Sequence, residues 1–168
     1  MNMAKFDEKA ILKLFESNLK TAQTSLARLR FCCCKDPSFQ GLSGWVFEQT
    51  VQYCLHKELK VSEVRAEICE QVSLGGRAKA DLLIGTVAVE IKARGLVDGD
   101  AASRYCGYKI AAEQKGYSYL YVTLQESYLP YRKAMIKGLG QQNTFFLNTA
   151  GDWSRLIKRV THLLKRHG

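Results

Sequence analysis

Apolar residues recur at helical spacing between residues 5 and 30, where Ile11, Leu14, Phe15, Leu19, Ala22, Leu26 and Leu29 make one stripe. The stretch from Cys32 to Ser43 holds Pro37 and Gly41 and is expected to be a connection. Ser43 is placed to cap a second helix from Gly44 to Leu59. The pattern then changes period. Over residues 63–72, Val64, Ala66 and Ile68 alternate with Arg65 and Glu67, as in a strand, and Gly75-Gly76 marks a turn. Residues 80–84 and 87–93 are β-rich runs around Gly85-Thr86, a hairpin signal with glycine at the first central position. After a loop from Gly95 to Asp100, the pattern predicts a helix from Ala101 to Lys115 and a strand from Tyr117 to Leu124. A helix from Tyr131 to Gly138 and a strand from Thr144 to Leu147 follow. The last helix starts at Asp152, with Trp153, Leu156, Ile157, Val160, Leu163 and Leu164 on its apolar stripe. The order α-α-β-β-β-α-β-α-β-α predicts an α/β chain: a mixed sheet with helices on both faces.

Hairpin geometry turns this outline into candidate chemistry. With a two-residue turn at Gly85-Thr86, Ile84 faces Val87, Leu83 faces Ala88, Leu82 faces Val89, and Asp81 faces Glu90. Paired residues point to the same side, and Lys92, two positions past Glu90, shares that side. One face then carries Leu82, Ile84, Val87, Val89 and Ile91. The other gathers Asp81, Glu90 and Lys92 at one end. Two carboxylates so close repel each other unless a cation lies between them. Oxygen ligands of this kind suit Mg2+, which keeps open positions for water and a phosphate oxygen. A lysine beside the metal can orient or deprotonate the attacking water and steady phosphate charge. The competing reading is an ion pair on an exposed strand, which the apolar neighbours argue against.

The second helix adds one more acid. Gly44, Phe47, Val51, Cys54, Leu55 and Leu59 form a continuous apolar arc, and Glu48 falls inside it. A core-facing acid is costly unless paired or metal-bound, so Glu48 is a candidate outer or second-metal ligand. An arc-edge residue reaching solvent or a lysine is the alternative. Gly44 on the same arc is expected to allow close helix approach.

Composition narrows the partner. The 168 residues suffice for one domain: an N-terminal helix and connection (1–42), a core (43–124) and an extension of that core (125–168). The net charge of +9 favours anionic partners, nucleic acid first. Arg77 and Lys79, beside Gly75-Gly76, are candidate contacts to a nucleic-acid backbone, although the segment lacks P-loop spacing. The tyrosines at 117, 119 and 121 are a conceivable stacking platform, with core packing the commoner role. The cysteines, including the run Cys32–Cys34, read as reduced thiols. A zinc site from Cys54, His56 and that run is the lesser alternative. No apolar run is long enough to cross a bilayer and no apolar signal core is visible, so a cytoplasmic protein with no membrane partner is expected.

The spacing Ala80-Asp81, eight residues, then Glu90-Ile91-Lys92 resembles the PD-(D/E)XK, or restriction-endonuclease-like, nuclease superfamily. The resemblance covers about half the chain, and the stretch from Gly44 to Leu124 matches that family's αβββαβ core. Ala80 stands where the motif has proline. The resemblance implies a Mg2+-dependent endonuclease acting on DNA, with branched or structured DNA as a candidate substrate and Mn2+ able to substitute. In it Asp81 and Glu90 hold the metal, the Ile91 carbonyl assists, and Lys92 serves the water. Glu48 matches an acid on the first core helix. Lys109 and Gln114 are candidates for the polar residue some branches carry on the following helix. A homodimer would place two sites on two strands. Three rival readings stay open at this point: a sequence-specific restriction enzyme, a nucleic-acid-binding module that does not cut, and a partner protein assembling through the N-terminal helix.

Overall fold

The computed structural model describes residues 6–30, 39–61, 66–95, 99–125 and 128–166. Two long helices come first, α1 (Glu8–Arg30) and α2 (Phe39–Val61). A meander follows of β1 (Ile68–Gly75), β2 (Ala78–Ile84) and β3 (Val87–Lys92). Then come α3 (Gly99–Gln114), β4 (Ser118–Thr123), α4 (Leu129–Leu139), a single 3-10 turn, β5 (Thr144–Phe146) and α5 (Asp152–Arg166). The strands form one sheet in the order β1-β2-β3-β4-β5. The first three are antiparallel; β4 runs parallel to β3, and β5 parallel to β4. The expected mixed α/β sheet is therefore present.

Each sheet face has its own core. Leu82, Ile84, Val87, Val89 and Ile91 pack with Leu120 and Val122 against Ile11 of α1, Phe47, Val51 and Leu55 of α2, and Trp153, Leu156 and Val160 of α5. The other face is small-residued. Ala78, Ala80, Ala88, Ala101, Ala102 and Ala112 meet Tyr119, Tyr121, Met135 and Leu139, which brings α3 and α4 onto the sheet. At Gly138 of α4 a β-carbon would lie 2.2 Å from Cys106 Sγ of α3, so only glycine permits that approach. Tyr119 and Tyr121 are buried here, in packing roles.

Several expected boundaries move. α2 begins at Phe39, so Ser43 lies inside the helix and does not cap it. The helical arc continues in both directions past the segment its apolar residues mark. Gly44 does not mediate a close approach, because a β-carbon there would meet nothing within 4 Å. β1 is displaced to Ile68–Gly75. Of the expected connection and strand, residues 32–38, with the run Cys32–Cys34, and residues 63–65 lie outside the described residues, as do 96–98 of the expected loop. Cys54 is buried, with its thiol pushed up to about 12 by burial and then by Glu58, whereas His56 is exposed on the same helix. The two therefore do not converge as zinc ligands would.

The hairpin register follows the sequence pattern: Leu82 pairs with Val89, Leu83 with Ala88 and Ile84 with Val87. Gly85 has φ +56, the left-handed conformation that glycine adopts freely at this turn position. A β-carbon there would also sit 2.9 Å from Leu164 Cδ2. Gly85→Ala is expected to destabilise the fold by about 1–2 kcal/mol. Chemical denaturation should register this as a lower midpoint at unchanged slope.

Candidate active site

Regular pairing between β2 and β3 ends at Leu82–Val89. One residue further, Asp81 and Glu90 do not continue the ladder. Asp81 instead takes the Ile91 N–H onto its own Oδ2 at 2.8 Å. The reason lies in β2, whose alternation breaks here: Ala80 belongs to the small-residue core and Leu82 to the opposite one. Across from Asp81 on β1, between the pairs Glu70–Leu82 and Val72–Ala80, stands Gln71 with φ +53. It is the sole non-glycine residue with positive φ among the described residues. Such a conformation costs on the order of 1 kcal/mol and concentrates at functional sites.

This irregularity lets groups from several elements meet. Lys92 Nζ lies 2.9 Å from Asp81 Oδ2 and 2.6 Å from Glu90 Oε1, so one ammonium touches both carboxylates. Gln71 Nε2 donates to Glu48 Oε1 at 3.0 Å and approaches Asp81 Oδ1 at 3.4 Å. Gln52 Nε2 donates to Glu48 Oε1 and to the Asp81 carbonyl oxygen. Glu48 is thus tied to Asp81 through two glutamine amides. From the other face, the Tyr105 phenol of α3 is pushed up by burial and drawn back by Lys92. Its ring packs on Tyr121, the β4 partner of Glu90.

Burial and these neighbours shift the Glu90 and Glu48 carboxyls and the Lys92 ammonium. Burial pushes the Glu90 carboxyl up to about 7; Lys92 opposes this and Asp81 adds to it. Glu48 is raised by burial and then by Asp81. For Lys92, burial acts downward, but the two carboxylates and their hydrogen bonds outweigh it and hold the ammonium well above the usual lysine range. Glu90 Oε2 is buried with no hydrogen-bond partner.

The Glu90 shift has a stability consequence. The folded chain keeps the Glu90 proton up to about pH 7, whereas an unfolded chain releases it near 4.5. Between those values the folded state binds more protons, so stability falls as pH rises, and the penalty is constant above the window. Glu90→Gln is expected to remove that slope. In EDTA it should melt higher than wild type at pH 8, by the equivalent of up to about 3 kcal/mol, and the gap should close near pH 4.5. Parallel melting curves across that range check this.

The donor set suits a hard divalent cation. It consists of oxygens, carries excess negative charge and includes a buried carboxylate oxygen without a partner. Among the described residues no three histidine, cysteine, aspartate or glutamate side chains are grouped so that they could hold a metal ion. A cation held here would draw on Asp81 and Glu90, the two carboxylates that the ammonium now contacts.

Asp81, Glu90, Lys92 and Glu48 are therefore brought together. Ile91 joins them, with its N–H and not its carbonyl making the observed contact. Arg77, at the β1–β2 turn, and Lys79, the second residue of β2, are exposed but share no hydrogen bond or ion pair with the cluster. Lys109 lies 3.8 Å from Glu113 on its own helix, and Gln114 is exposed near the end of α3; neither shares a hydrogen bond or ion pair with the cluster. Gln52, Gln71 and Tyr105 went unanticipated. Gln52 could have been found, since it stands one helical turn after Glu48. Gln71 could not, because a left-handed residue inside a strand leaves no sequence signal. Among the described residues no helix is long and apolar enough to cross a membrane. Comparison of the chain with protein-family models, with curated proteins and with solved structures gives no match.

Proposed function

We propose that the chain is a Mg2+-dependent nuclease that hydrolyses phosphodiester bonds in DNA. In this reading α2-β1-β2-β3-α3-β4 is a restriction-endonuclease-like core. The observation that carries the proposal is the unpartnered, buried Glu90 Oε2 beside Asp81, in a cluster where one ammonium bridges two carboxylates and a third, Glu48, is tied to Asp81 through glutamine amides. A structural ion pair would match charges and leave no oxygen orphaned; a cation site needs the surplus.

Asp81 and Glu90 hold the cation, with Mn2+ able to replace Mg2+, and Glu48 is an outer ligand positioned by Gln52 and Gln71. Bound there, the metal supplies Lewis acidity toward a phosphate oxygen and a more acidic water. Ile91 fixes Asp81 through its amide. Lys92, beside both carboxylates, orients the attacking water or steadies a phosphate oxygen. Arg77 and Lys79 track the phosphate backbone from the exposed turn. A homodimer would bring two such sites to two strands.

The test is incubation of the purified protein with single-stranded, duplex and branched DNA in Mg2+, in Mn2+ and in EDTA. The expected result is cleavage of at least one form with either metal and none in EDTA. DNA that stays intact in every metal, while binding persists, favours a non-cutting binding module of the same fold.

A further inference from the structure

Beside the cluster, between α2 and β1, lies a cavity of about 170 Å3. It is lined by the apolar Leu82 and Ile68 and by the polar Gln49, Gln52, Tyr53, His56 and Glu70. No lysine or arginine lines it, so it is not built for a phosphate. A lining that mixes apolar and hydrogen-bonding side chains suits a flat, neutral heterocycle.

The cavity shares a wall with the cation site. Gln52 lines it and also donates to Glu48 Oε1 and the Asp81 carbonyl oxygen. Gln49 Nε2 is committed to Gln52 Oε1 at 3.1 Å, which leaves the Gln49 carbonyl oxygen for a ligand. Glu70 has no hydrogen-bond or salt-bridge partner among the described residues, so its carboxylate is also free to accept. On α2, Trp45, Gln49 and Tyr53 stand four residues apart and share one face. Trp45 is 59% exposed and Tyr53 52%, two large exposed aromatics on that helix. Exposed aromatic rings beside a nucleic-acid site are stacking surfaces for unpaired bases.

From this juxtaposition we propose that the cavity is a nucleobase pocket, holding one unpaired base that bears an exocyclic amine, with Trp45 stacking on a neighbouring base. The proposal rests on the nuclease reading and specifies its substrate: DNA with a single-stranded or splayed nucleotide next to the bond that is cut. Two acceptors, the Gln49 oxygen and the Glu70 carboxylate, match the N–H groups of adenine, cytosine or guanine better than the carbonyl-rich edge of thymine. A paired base buries the same edge in its partner and cannot enter.

The experiment measures binding in EDTA, so that cleavage does not interfere, to a 12-nucleotide single strand of mixed sequence, to an all-thymine strand of equal length and to the matching duplex. Fluorescence anisotropy of labelled DNA reads affinity, and tryptophan emission reads stacking on exposed Trp45, since Trp153 is buried. The expected order is mixed single strand, then all-thymine, then duplex, with quenching by single strands alone. Glu70→Ala supplies the decisive sign. Removing a negative charge should strengthen binding of any polyanion by simple electrostatics. The pocket instead predicts about tenfold weaker binding of the mixed strand, with duplex affinity unchanged or slightly higher. Equal affinity for strand and duplex, no quenching, or an unchanged or stronger mixed-strand affinity in Glu70→Ala overturns the pocket. The two proposals fail separately. Metal-dependent duplex cutting that ignores Glu70 removes the pocket and keeps the nuclease. Base-selective binding without cutting in any metal keeps the pocket and removes the nuclease.

Discussion

Asp81→Asn is expected to lower Mg2+-dependent DNA cleavage by about a hundredfold to a thousandfold, the scale on which loss of one preorganised charged or polar group slows an active site. The fold should tolerate the change. An asparagine carbonyl oxygen in the place of Oδ2 still accepts from the Ile91 N–H and from Lys92 Nζ. Its amide then replaces Oδ1 and faces Gln71 Nε2, donor against donor. Gln71 must rotate its amide, and its bond to Glu48 Oε1 is lost. The stability change is therefore that of one partly exposed hydrogen bond, about 1 kcal/mol. Losing a ligand charge weakens cation binding far more. Cleavage rates across a Mg2+ series, with DNA affinity measured in EDTA, separate the two effects. Activity equal to wild type at every Mg2+ concentration would place the chemistry elsewhere.

Much of this site was legible because hairpin geometry is simple arithmetic. A two-residue turn with glycine leading, followed by alternating apolar residues, fixes which side chains share a face. That was enough to bring Asp81, Glu90 and Lys92 together and to bury Leu82, Val89 and Ile91 on the opposite side. The same arithmetic misdescribed the contact. Extended by one residue it makes Asp81 and Glu90 a ladder pair, whereas β2 changes its alternation at Asp81 and a side chain replaces a backbone acceptor. Alternation is a rule for regular strands, and it fails where a strand bends to assemble a site. Glu48 was legible as an acid on an apolar helical arc, but its supports on Gln52 and Gln71 depend on a backbone conformation that sequence does not disclose.

The helix ends show the same division. Amphipathic spacing located α1, α2 and α5, because burying an apolar stripe decides most of a helix. It misplaced the start of α2, since Ser43 is a good cap only if no helical residue precedes it, and Phe39 does. Cap residues are also tolerated inside helices when packing outweighs them; Thr50, on the same helix, turns its hydroxyl back to the Val46 carbonyl.

Lys92→Ala separates a cation site from a structural ion pair. In the wild type the ammonium bridges two carboxylates that are 12% and 5% exposed. Without it, Asp81 and Glu90 face each other with the Ile91 N–H and Gln71 as the remaining donors. Breaking a buried pair from one side costs about 3–5 kcal/mol. Protonation of Glu90, already pushed up to about 7, limits the cost at lower pH. In EDTA the variant should therefore melt well below wild type at pH 8 and recover part of the gap at pH 6. Mg2+ then gives the discriminating result. A cation that fills the space between the carboxylates stabilises the folded state in proportion to its occupancy. It should raise the melting temperature of Lys92→Ala more than that of wild type, where the ammonium competes for the same oxygens. Cleavage should stay low even when Mg2+ restores stability, because the donor that steadies water and phosphate is gone. A variant whose melting ignores Mg2+ at every pH would leave Asp81, Glu90 and Lys92 as a structural ion-pair network.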